Sequence, residues 1–180
     1  MDFFEVITQR HSIRAYQNKR IEPGILQQVL QAVNKAPSAG NLQAYEVYLI
    51  CDDRHKTSLV AAAGDQEFVA QASVVLVFCA HAARSADRYA ERGKNLYCIQ
   101  DATIACTFAM LAATALGLST VWVGAFDEEK VRCIIGAPLG QRPVAMLPVG
   151  YAAESPRIRP RRSLSDLVHQ ARPIETMEKA

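Results

Sequence analysis

Residues 102–126 read ATIACTFAMLAATALGLSTVWVGAF, a stretch of 25 without a charged side chain, bracketed by Asp101 and Asp127. A helix crossing ~30 Å of hydrocarbon needs about 20 apolar residues. Here Gly117-Leu118-Ser119-Thr120 interrupts the run. The helical part, 102–116, covers only about 22 Å at 1.5 Å per residue and is rich in Thr and Ala. It reads as a helix buried on nearly every side, followed by a buried strand, and not as a membrane span. In a chain of 180 residues, burial all round implies a partner subunit over part of the helix.

Outward from this stretch, helices and strands alternate. Asp2-x-x-Glu5 resembles a capping box, with Phe3, Phe4 and Ile7 at helical spacing; that helix stops near Arg10–Arg14. Glu22-Pro23 opens a second helix, whose apolar face is Ile25, Leu26, Val29, Leu30 and Val33 and which Pro37 ends. Residues 37–41 form a loop by composition, and Tyr45–Ile50 is strand-like. Asp52-Asp53 caps a helix to about Ala63, Gly64-Asp65 breaks it, and Glu67–Ala72 makes a turn or short helix. The continuous apolar run Val74–Phe78 predicts a central strand, and residues 84–95 read as a charged loop. The long helix is expected over about 97–116, a strand over Thr120–Val123, and a helix from Asp127-Glu128-Glu129 to Gly136. Pro143–Val149 is the last strand, before an Arg- and Pro-rich tail. With no repeat and no long linker, residues 1–180 are expected to form one layered domain mixing α and β, with a terminal tail from about 170.

Composition excludes several classes. Twenty Lys plus Arg against 18 Asp plus Glu give +2, which fits neither a strongly basic nucleic-acid module nor an acidic tail. The charge is uneven, however: residues 154–172 hold five arginines against Glu154 and Asp166, and no interleaved aromatics that would suit a nucleic acid. Five cysteines without a C-x-x-C pair read as free thiols in a reducing cytosol. The acidic, amphipathic opening Met1–Glu5 lacks a signal-peptide pattern, so a cytoplasmic location is expected. There is no P-loop, no G-x-G-x-x-G and no complete nucleophile elbow, and the four histidines show no metal-ligand spacing.

What remains is Arg10-His11-Ser12-x-Arg14 at a helix end, and Arg157-x-Arg159-x-Arg161-Arg162 after the last strand. Guanidinium forks with a hydroxyl are what a phosphate dianion needs. Together with Ala36-Pro37-Ser38-Ala39-Gly40-Asn41-x-Gln43, Gly64-Asp65-Gln66, Leu118–Phe126, Leu147–Tyr151 and Arg159-Pro160-Arg161, these motifs resemble the nitroreductase family of FMN enzymes. The resemblance runs from Phe3 to about Leu167.

The resemblance implies an α+β fold: a mixed, mostly antiparallel sheet flanked by helices, with the long central helix packed on its twin in a homodimer. It places FMN at the subunit interface. Arg10 and Ser12 match contacts to the phosphate and ribityl chain, His11 a backbone or ribityl contact, and Arg14 a cation at the pyrimidine edge. Arg159 and Arg161 match the cations that close on the phosphate, with Arg162 adjacent. Gly124-Ala125 matches the backbone that meets flavin N5 or O4. Pro37-Ser38-Ala39 matches the loop that reaches the ring from the other subunit, and Asn41 and Gln43 match polar contacts to its edge. Asp65-Gln66 aligns with a ribityl or pyrimidine contact. Larger members carry a further Lys where this chain has Glu67-Phe68. No side chain stands out as an obligatory acid or base, and Trp122 and Tyr97 are assigned to core or interface. The implied activity is ping-pong reduction of a nitroaromatic, quinone or similar small acceptor by NAD(P)H through bound FMN. Reductive dehalogenation, flavin breakdown and FMN binding without turnover are the alternatives.

Overall fold

The computed structural model describes residues 1–171; the last part of the expected tail, 172–180, lies outside the described residues. Four strands form one sheet in the order β1-β2-β4-β3: β1 (Tyr45–Ile50), β2 (Val74–His81), β3 (Ser119–Thr120) and β4 (Gln141–Gly150). Every strand pair is antiparallel. The parallel element among the described residues is a single bridge, Ser12 to Thr120.

The sheet is covered on both faces, which explains why β2 reads as an unbroken apolar run instead of an alternating one. Successive side chains of a strand point to opposite faces. Val74, Leu76 and Phe78 join one core with α2 (Pro23–Val33) and α6 (Cys98–Ala115). Val75, Val77 and Cys79 join the other with α3 (Asp53–Ala62) and α7 (Glu128–Ile134). Each fully buried side chain of this size contributes about 1.5–3 kcal/mol. Pairing of β2 with β4 slips between Phe78 and Cys79, beside Pro143, which has no N–H to give the ladder. The first helix, α1 (Phe3–Gln9), has the full capping box of Asp2 and Glu5. α4 (Phe68–Gln71) and α8 (Leu164–Leu167) are single turns.

Two expectations are corrected. Residues 84–95 are not a loop: α5 spans Ala82–Arg92 and leads through a π turn at Gly93–Tyr97 into α6. Its sequence, AARSADRYAER, is built of good helix formers and is two-faced, but the inward stripe is Ala82, Ser85, Ala86 and Tyr89, mostly small side chains that a search for large apolar residues passes over. It is held by packing instead. Gly93 lies so close to Ser85 that a Cβ there would strike the Ser85 carbonyl. The strand expected over Thr120–Val123 is only Ser119–Thr120, after which the chain leaves the ladder and rejoins it once, at Val123 opposite Met146.

The long helix behaves as expected in position but not in burial within one chain. Ala102, Ala105, Cys106, Ala109 and Ala113 are fully buried, while Thr107 is exposed and Thr103, Ile104 and Leu111 are half-buried. The helical run Ala82–Ala115 is long and apolar enough by composition to cross a membrane. α5 is, however, its charged part, and α6 packs on α2, β2 and β4.

Candidate functional site

The fold brings the two arginine clusters into one cavity. Residues 12–17 run between two strand ends and are stitched to both. Ile13 N–H donates to Thr120 O at 3.1 Å, Gln17 N–H to Tyr151 O at 2.9 Å, and Ala153 N–H to Ala15 O at 2.9 Å. Arg14 N–H donates to the Glu154 carboxylate at 2.5 Å. The result is a cavity of about 760 Å³ lined by Arg10, His11, Ser12, Arg14, Glu154, Arg157, Arg159 and Arg161, with Ile7, Thr8 and Ile158. Five guanidinium groups face one carboxylate, and none of the five takes part in an ion pair among the described residues. Like charges gathered in this way repel until an anion joins them, so the cavity suits a phosphate group. Its size falls in the ordinary range for a small-ligand site. Arg162 is not among the lining residues; its guanidinium donates to the Asp166 carbonyl at 2.5 Å in α8.

The segment after β3 ties a second group of candidates to this cavity. At one end Thr120 bridges Ser12; at the other, Gln66 Nε2 donates to Ala125 O at 3.4 Å and to Ala63 O at 2.7 Å. Gly124 and Ala125 are exposed, and Asp65 adopts a left-handed backbone with φ 60°.

The third group lies elsewhere on the chain. Pro37, Ser38 and Ala39 line a separate cavity of about 530 Å³ with Tyr97, Ile99, Thr103 and Ile104, sharing no lining residue with the first. The loop is tightly folded, with Gly40, Asn41 and Gln43 all at positive φ (56°, 58° and 48°). The left-handed backbone favours glycine at position 40, where a Cβ would also press on the Tyr89 hydroxyl and displace that side chain. The Ser38 hydroxyl accepts the Gln43 N–H at 2.9 Å, and Gln43 Nε2 donates to Asn41 Oδ1 at 3.3 Å. Asp101 is the anchor: 2% exposed, its carboxylate accepts Ala39 N–H at 2.9 Å and Ala44 N–H at 3.3 Å.

Sequence reasoning names Arg10, His11, Ser12, Arg14, Arg159 and Arg161, which the structure gathers, but not Glu154 or Asp101. Asp101 does carry a signal, as the lone carboxylate at the mouth of an uncharged helix. Tyr97, expected in the core or an interface, lines the second cavity. Trp122 packs half-buried against the core. Burial pushes the Cys79 thiol up to about 12 and also raises those of Cys98 and Cys106, which leaves these cysteines inert as nucleophiles.

The model of the nitroreductase family matches residues 7–65 and 54–151. The chain belongs to the nitroreductase family. A Thermus thermophilus protein named NADH dehydrogenase is 30% identical over 173 residues, covering 81% of this chain and 84% of its own. The Bacillus subtilis FMN reductase [NAD(P)H] is 30% identical over 177 residues, covering 91% and 71%. Among solved structures, B. megaterium NfrA2 superposes with a TM-score of 0.87 at 26% identity, covering 99% of this chain and 78% of that one. A nitroreductase family protein from Clostridium novyi NT gives a TM-score of 0.78 at 26% identity, covering 86% and 87%.

Proposed function

We propose that this nitroreductase is an FMN-dependent NAD(P)H oxidoreductase. It works as a homodimer in the cytoplasm and reduces a small nitroaromatic or quinone by a ping-pong cycle. The observation that carries the reading is the cavity of five arginines around Ser12, an arrangement suited to phosphate in which Glu154 is the one acidic lining residue among the described residues. The name of the B. subtilis relative supports the donor and the flavin. Five free cysteines, three of them buried, support the reducing compartment.

In this reading Arg10, Ser12, Arg159 and Arg161 hold the FMN phosphate, with Arg157 beside them. FMN, when bound, supplies the hydride chemistry between donor and acceptor. Arg14 contributes positive charge toward the pyrimidine side of the ring, and the exposed Gly124-Ala125 backbone admits the ring edge without a bulky side chain. Asn41 and Gln43 are held by the Asp101-anchored loop, ready to meet a ring from outside their own chain. Because that loop and the arginine cavity are separate in one chain, a two-fold partner completes the site.

Anaerobic half-reactions test the cycle. NADPH or NADH alone is expected to bleach the bound flavin within seconds, and a nitroaromatic or quinone added after the nicotinamide is removed should restore it. Bleaching that requires both substrates together would contradict the ping-pong order.

A further inference from the structure

Arg84 and Arg88 sit four residues apart on α5, about one helical turn, on the face that lies over the loop of residues 40–42. Arg84 Nε donates to Leu42 O at 2.6 Å and Arg88 Nη1 to Gly40 O at 3.4 Å. Beyond the sharp turn at Ala90, Arg92 Nε donates to Tyr97 Oη at 2.8 Å. Aromatic contacts join Arg88 and Arg92. The Arg88 guanidinium lies 5.4 Å from the Tyr89 ring centre, Tyr89 meets Tyr97 edge-on at 5.1 Å, and Arg92 lies 5.3 Å from the Tyr97 ring centre.

Each guanidinium thus spends one described bond on a neutral acceptor out of five N–H donors, and no carboxylate pairs with any of them among the described residues. Residues 82–97 carry four cations (Arg84, Arg88, Arg92, Lys94) against Asp87 and Glu91. Tyr97 also lines the apolar cavity beside Pro37–Ala39, so this array forms a basic, aromatic rim on the half of the site that the phosphate cavity does not reach.

We infer that this rim is the donor-selectivity site: Arg88 and Arg92, with Tyr89 and Tyr97, bind the adenosine 2′-phosphate end of NADPH, and the enzyme prefers NADPH to NADH. The inference rests on the oxidoreductase reading above. Flat aromatic faces flanked by guanidinium groups suit a planar base that carries a phosphate dianion. A small acceptor with one carboxylate would use a single arginine and leave the rest of the array idle. A long dinucleotide can rest its adenosine end on the rim while its nicotinamide enters the cavity that Tyr97 shares.

Two measurements test this on the full-length protein. First, Arg88→Gln and Arg92→Gln are compared with wild type in steady-state kinetics, after FMN content and melting temperature are matched. The expected result is a ratio of KM for NADPH to KM for NADH that rises roughly ten- to a hundredfold, the loss of one charge-assisted bond, and is partly rescued in Arg88→Lys. An unchanged ratio overturns the inference. So does an effect confined to the acceptor, with para-nitrobenzoate weakened relative to nitrobenzene, which would assign the rim to the acceptor. Second, calorimetric titration with adenosine 2′,5′-bisphosphate and with adenosine 5′-monophosphate reads the rim without turnover. Tighter binding of the bisphosphate, lost in Arg88→Gln, is expected; equal binding overturns the inference. A protein without flavin or turnover defeats the oxidoreductase reading, whereas the calorimetric comparison still decides the role of the rim.

Discussion

Arg10 and Arg161 stand about 150 residues apart in the chain and line one cavity. If both hold a phosphate, each charge-assisted bond contributes about 1.5–3 kcal/mol, so Arg10→Ala and Arg161→Ala should each weaken FMN roughly ten- to a hundredfold. Riboflavin, which lacks the phosphate, should lose far less. Equal losses for the two flavins in a fluorescence titration would reduce both arginines to supports of the fold. Arg14 has a different task. Glu154 takes its backbone N–H, and the guanidinium has no ion pair among the described residues. A cation near the pyrimidine edge favours the more negative, reduced flavin, and only such a difference between states moves a redox equilibrium. Arg14→Gln should therefore lower the two-electron potential by roughly 30–60 mV with little loss of oxidised FMN. A lowered melting point with an unmoved potential would make Arg14 structural. The paired arginines are legible in sequence only through the run of family motifs that contains them, since either cluster alone reads equally as solvated surface charge. Glu154 is not, because its part depends on a backbone N–H that only the folded stitching of residues 12–17 presents to it.

At the scale of elements, legibility follows hydrophobic pattern. β2 is readable because both faces are buried, and Phe78→Ala, at a fully buried position, should cost about 3–5 kcal/mol in a denaturant melt. α5 is not, since its inward stripe of Ala82, Ser85 and Ala86 is too small to stand out among its charges; it is fixed here by Gly93 against Ser85 and by arginines on the loop carbonyls. The strand after Leu118 reads too long because Val121 and Val123 are buried without Val121 joining the ladder. The Asp101 loop anchor gives this scale its own test. Asp101→Asn keeps one acceptor oxygen for two N–H groups and leaves a buried donor unpaired, a loss of about 1–3 kcal/mol. Thermal stability should fall, and FMN affinity with it, because the loop of Pro37–Gln43 loosens. Full stability in Asp101→Asn would show that the two bonds do not hold the loop.

At the scale of the whole molecule, two features of the chain bear on the proposed dimer. Its candidate residues fall into two cavities, and its apolar surface is uncovered: Phe3 is 63% and Phe4 74% exposed on α1, beside the half-buried outer face of α6. A second copy over α6 would answer both. Thr107, exposed at the middle of that face, separates the possibilities. Glu at this position is harmless on a solvated helix but costs several kcal/mol when buried without a partner. Thr107→Glu should therefore give a species of the 19.8 kDa chain mass in light scattering, with its flavin lost; a flavin-loaded dimer would show that α6 is not the interface. Dimer and phosphate cavity both serve one central claim, that the chain carries FMN. The most direct measurement of it is the visible spectrum of the dialysed protein, taken together with the flavin it releases on denaturation. A yellow protein yielding about one FMN per chain is the predicted result. A colourless protein that stays colourless after incubation with FMN would contradict the account.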